Sequence, residues 1–132
     1  MGDIKSFKDL LVWQKGMLLV KTAYALTDQF PEKEKFGLTS QIRRSAISIP
    51  ANISEGWGRK STKSYVQFLN IAVGSLYEIQ THILISKELN YITDEECEQF
   101  EKLADEESRM LYALINTLEK KQEKIIVATQ AL

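Results

Sequence analysis

The chain has 132 residues, 44% of them hydrophobic and 27% charged, with a formal net charge of −1. That length and apolar content suffice for one continuous core, while a lone cysteine, Cys97, and a single histidine exclude an intramolecular disulfide and leave too few ligands for a zinc site. The charged opening (Asp3, Lys5, Lys8, Asp9) lacks the apolar run of a signal peptide and no stretch approaches the roughly 20 apolar residues of a membrane span, so the expectation is one soluble, cytoplasmic domain over residues 1–132.

The first periodic segment predicts a helix over about 8–29. Leu10, Trp13, Met17, Val20 and Tyr24 recur at three- and four-residue steps, flanked by Leu11, Leu18 and Ala25, and are read as a wide core-facing stripe. Ser6 and Asp9 can cap its start, and Phe30-Pro31 turns the chain out of helical geometry at its end. The second segment, about 39–57, aligns Ile42, Ala46, Ile49 and Ile53. Pro50 sits inside it, removes one N–H and frees the carbonyl of Ala46, which predicts a bend, with Ser45 and Ser48 close enough to compensate.

The third segment, about 62–89, carries Tyr65, Leu69, Ala72, Leu76, Ile79 and Ile83 as a heptad-like seam behind an N-cap at Ser61. Val66, Phe68, Ile71, Val73, Tyr77, Leu84 and Ile85 make its other faces apolar too, more than an isolated bundle buries, so this helix is either central or faces another subunit. Asn90 suits the left-handed residue that closes it. The fourth segment, about 94–124, opens on a Thr93…Glu96 capping box with Asp94, Glu95 and Glu96 at the helix N-terminus. Phe100, Leu103, Ala104, Leu111, Leu114, Ile115 and Leu118 line one side, and Glu98, Glu101, Lys102, Asp105 and Glu106 are read as solvated. The tail IIVATQAL could extend the helix, dock on a neighbour or fray. Four amphipathic helices, short connections and no strand alternation predict an all-α, antiparallel up-and-down four-helix bundle.

Charge is divided along the chain. Residues 1–64 hold 11 Lys/Arg against 6 Asp/Glu, and residues 65–132 hold 6 against 12. Such a division fits complementary faces meeting at a subunit interface, or a basic surface kept for an anionic partner.

The opening Asp9-Leu10 and Val12-Trp13-Gln14, the run GLTSQIRR from Gly37 to Arg44, the motif S-I-P-A-N-I-x-E-G from Ser48 to Gly56 and F-L-x-I-A-x-G-S-L-x-E from Phe68 to Glu78 together span most of the chain. In these the sequence resembles the bacterial four-helix bundle proteins of the 23S rRNA intervening-sequence, or S23-like, family. The resemblance implies a four-helix protomer assembled into a ring-like homopentamer, and it supplies no enzymatic activity. Many members are encoded by segments inserted in large-subunit rRNA genes and are not structural ribosomal proteins. A related branch, the accessory proteins of diversity-generating retroelements, forms a basic pentameric barrel that binds a reverse transcriptase and nucleic acid; the acidic balance of this chain departs from that branch.

Arg43, Arg44, Arg59, Lys60 and Lys63 are the densest basic set and, with Trp57 to stack on a base and Gly56 and Gly58 to admit a backbone, form the candidate nucleic-acid site. The competing reading, which leads, pairs Arg43 and Arg44 with Glu55, Glu78 or a neighbour's acidic fourth helix. Pro50, Asn52, Glu55 and Gly56 are read as a structural motif, a polar network fixing the end of the second helix. Glu78 and His82 lie one turn apart, but di-iron bundles draw carboxylates from all four helices and need Glu-x-x-His twice, so no metal site and no cofactor are expected. Cys97 in an acidic helix start disfavours a thiolate, and Gly56-Trp57-Gly58 is no phosphate loop, so no catalytic residue and no small-molecule substrate are expected. The leading expectation is a homopentameric, non-enzymatic scaffold that offers its helix-two to helix-three corner to an RNA or protein partner. RNA binding through that corner is the alternative, and a metal-dependent or hydrolytic enzyme comes third.

Overall fold

Four helices and two single 3-10 turns carry the chain through residues 3–131, the part that this computed structural model describes. The helices are α1 (Leu11–Thr27), α2 (Leu38–Trp57), α3 (Thr62–Glu88) and α4 (Asp94–Ala131). Each packs against its neighbours in chain order and α4 closes back on α1, so α1 and α3 face each other diagonally across the core, as do α2 and α4. This is the square of an antiparallel up-and-down bundle. Among the described residues no helix is long and apolar enough to cross a membrane.

The ends follow from local chemistry. Ser6 and Asp9 form a reciprocal capping box, but it closes a 3-10 turn, Phe7–Asp9; Leu10 is then extended and α1 starts at Leu11, three residues later than the periodicity predicts. The Ser61 side chain accepts from the Ser64 N–H at the start of α3, and Asn90 ends the turn beyond it at φ 63°. The Thr93 hydroxyl accepts from the Glu96 N–H while the Glu96 carboxylate accepts from the Thr93 N–H, so the predicted capping box is in place. The tail continues α4 to Ala131, well past the expected end near 124, and beyond Leu118 almost all of it is exposed.

The core joins Leu19 and Ala23 of α1, Ile42, Ala46, Ile49 and Ile53 of α2, the predicted α3 seam from Leu69 to Ile83, and Phe100, Ala104 and Leu111 of α4. For α1 the structure corrects the stripe. Its buried positions are Val12, Gly16, Leu19, Ala23, Leu26 and Thr27, while Met17 and Tyr24 are exposed with Leu11, Leu18 and Ala25. The helix is apolar nearly all round, and the true inner face carries the small residues Gly16 and Ala23, which contribute least to a hydrophobic reading.

Candidate functional site

The polar residues of the sequence motifs converge on the seam between α2 and α3. Ser45 Oγ donates to Glu78 Oε1 at 2.9 Å, and Ser48 and Ser75 hydroxyls bond each other at 2.8 Å. Asn52 Nδ2 donates to both the Ser48 carbonyl (2.8 Å) and the Ser48 hydroxyl (2.9 Å). Arg44 joins Ser45, Ser48, Ser75 and Glu78 around a small polar hollow of about 140 Å³. Ser45 and Ser48 are therefore spent across the seam on α3, where the sequence suggested compensation for the carbonyl that Pro50 frees. Every hydroxyl here has a partner, which is the arrangement that holds two helices in one register at little cost.

Gly56 ends this seam for a steric reason. A Cβ there would lie 2.9 Å from Tyr65 Cδ1, 3.0 Å from Phe68 Cβ and 3.2 Å from the Tyr65 carbonyl oxygen, so only glycine lets α2 and α3 come this close. Glu55 turns away to pair with Arg59 at 2.6 Å. Pro50, Asn52, Glu55 and Gly56 thus serve three separate purposes: a tight contact with α1, a bond back to Ser48 and a close approach to α3, with Glu55 outside all of them.

The basic set is distributed in the same way. Arg43 lies over the Tyr24 ring, its Nε donates to Thr27 Oγ1 and its Nη2 to Asp28 Oδ1, both at 2.9 Å, so it straps α2 to the end of α1. Arg44 points the other way, into the α2–α3 hollow. Arg59 stacks 4.5 Å over the Phe68 ring while holding Glu55. Lys60 and Lys63 are exposed beside it and Trp57 is half-buried. Trp57, Arg59 and Lys60 stay together at the α2–α3 corner, Lys63 lines a groove with Glu119 of α4, and Arg43 and Arg44 lie apart from them.

Neither Glu78 nor His82 finds a metal-binding set. Glu78 accepts from Ser45, His82 Nδ1 is buried without a hydrogen-bond partner, and among the described residues no three His, Cys, Asp or Glu side chains come together as a cation site. Cys97 is buried, and its thiol is pushed up first by that burial and then by Glu101.

Sequence reasoning missed Glu107. This α4 side chain is fully buried, and neither carboxyl oxygen has a hydrogen-bond partner among the described residues. A Cβ on Gly16 would stand 3.1 Å from Glu107 Oε2, 3.4 Å from Pro50 Cβ and 3.5 Å from Ile49 Cγ2, so the glycine on α1 makes room for the carboxyl and the proline together. Burial pushes the Glu107 carboxyl up to about 8 against the smaller opposing effect of Lys15, a shift that favours the protonated form at neutral pH. Lys15 itself is committed to Glu106, which that ammonium holds below the usual carboxylate range. The signal was present in the spacing: Phe100, Ala104, Glu107 and Leu111 step by four, three and four, which puts an acid in an apolar register.

Residues 8–113 match the model of a family described as 23S rRNA-intervening sequence protein. No curated protein matches the chain. Among solved structures, the chain is similar to a protein of unknown function from the S23 ribosomal protein family of Bacteroides thetaiotaomicron, at 27% identity and a TM-score of 0.72, over 80% of this chain and 98% of that one.

Proposed function

From the premise that the chain belongs to the 23S rRNA-intervening sequence protein family, we propose that it is a non-enzymatic scaffold that works as a homopentamer. The observation that carries this reading is apolar surface on two separate sides of the bundle: Leu11 and Leu18 on α1, and Ile71, Tyr77, Leu84 and Ile85 on α3. An isolated protomer leaves these in water, and large apolar side chains recurring on one helix face support a surface for association. Light scattering at micromolar concentration tests it. The expected result is a mass five times the 15.1 kDa of one chain, and the mass of a single chain overturns the proposal.

A second reading, RNA binding, is favoured by Arg59 and Lys60, exposed in the α2–α3 connection that follows Trp57, with Lys63 exposed in the first turn of α3. Phosphate contacts there predict affinity for single-stranded RNA that falls steeply with salt, and that falls further when Arg59 and Lys60 become alanine. Absence of binding at low salt removes this reading and leaves the scaffold intact.

A further inference from the structure

Gly74 lies in the middle of α3, on its exposed face, and a Cβ there would meet nothing within 4 Å. Glycine in a helix interior costs stability relative to alanine, and nothing among the described residues demands it at that position. Its neighbours on the same face are Ile71, Glu78 and Ile85, which with Gly74 and Thr81 follow a three-four-three-four spacing. The outer face of α1 repeats that spacing in Leu11, Gln14, Leu18, Lys21 and Ala25. Beside it runs a largely apolar groove of about 430 Å³ between α1 and α4, lined by Leu11, Leu18 and Met110.

Resting on the self-assembly proposed above, we infer that copies meet head to tail, the α1 stripe of one copy (Leu11, Leu18, Lys21) seated on the α3 stripe of the next (Ile71, Gly74, Glu78, Ile85). Because α1 and α3 are diagonal in the bundle, their outer faces point in opposite directions and one copy engages two neighbours at once. Such a contact is heterologous, the kind that closes into rings. Charge selects it over the alternative. Between residues 64 and 86 the only Asp, Glu, Lys or Arg is Glu78, whereas α1 carries Lys15 and Lys21 and no carboxylate. Lys15 is held by Glu106, and Lys21 makes no ion pair among the described residues. Glu78 accepts from Ser45 and shares a hollow with Arg44 on its α2 side; on its outer side a two-fold α3-on-α3 contact would place it beside its own copy, while α1-on-α3 gives it Lys21. Gly74 then supplies the bare backbone against which the incoming helix seats.

Sedimentation of four charge variants and one steric variant tests this pairing. Lys21→Glu and Glu78→Lys should each weaken assembly by at least tenfold, and the double variant carrying both should regain most of it. Gly74→Leu should keep its helical circular dichroism, since its own fold leaves the space open, yet fail to assemble. Glu78→Gln should weaken assembly mildly. If wild type assembles and all variants assemble equally well, the contact is elsewhere and the scaffold reading stands. If Lys21→Glu has no effect and Glu78→Gln strengthens assembly, the contact is α3 on α3. If wild type is a single chain, the scaffold reading fails and this pairing with it.

Discussion

The α2–α3 seam and the α1–α4 junction treat polar side chains in opposite ways. Along the seam, Ser45, Ser48, Asn52, Ser75 and Glu78 are matched donor to acceptor. At the junction, Glu107 sits alone against Gly16 and Pro50. A paired network fixes register and is nearly neutral in free energy, whereas a solitary carboxyl is tolerated only while it stays protonated. The seam therefore satisfies its polar groups among themselves, while the junction depends on one carboxyl keeping its proton.

The larger effect is expected at the junction. The Glu107 carboxyl has a folded value of about 8 against an ordinary 4.5, so the folded chain holds a proton that the unfolded chain releases between those values. Its contribution is complete below pH 4.5, declines as pH rises through 8, and amounts to about 5 kcal/mol at most across that window. Glu107→Gln keeps the shape and removes the titration. Urea unfolding at pH 5 should give similar midpoints for the two proteins, while at pH 9 the variant should be the more stable by a few kcal/mol. Parallel pH dependence in both would show that Glu107 does not carry the linkage. Other shifted groups, such as Glu34 and Glu96, contribute equally to both proteins and cancel in the difference.

A smaller effect is expected at the seam. Ser75→Ala removes one partner of the Ser48 hydroxyl, which keeps the amide of Asn52. The cost should be about 1 kcal/mol and independent of pH from 5 to 9. A loss that changed with pH would mean that Glu78, one turn further on, is coupled to the seam more tightly than its bond to Ser45 implies.

The sequence exposes these two regions unequally, and for physical reasons. The seam is written in polar residues at helix-turn spacing, so its motif is visible even though the partners of Ser45 and Ser48 lie on another helix. Four helices, the Thr93 capping box and the Asn90 turn are legible because each depends on residues three or four apart. The junction is not legible in this way. Gly16 has no side chain to register as inward-facing, and Glu107 is camouflaged among the solvated carboxylates of α4, so the α1 stripe reads one position off and its core acid is passed over. The basic set looked contiguous in sequence, but adjacent helical residues such as Arg43 and Arg44 diverge by about 100°, which sends them to different neighbours.

The overrun of α4 would recur once per copy in a ring of such chains. Residues 119–131 add roughly 20 Å of helix at about 1.5 Å per residue, with the first turns of α3 beside Glu119, Gln122 and Ile126 and with Ile125 and Val127 exposed. Rotation about a single axis would repeat that rod once on every copy, each at the same tilt to the axis. Such a ring would repeat Ile125 and Val127 once per copy, so that apolar side chains lying away from the bundle core recur around the axis.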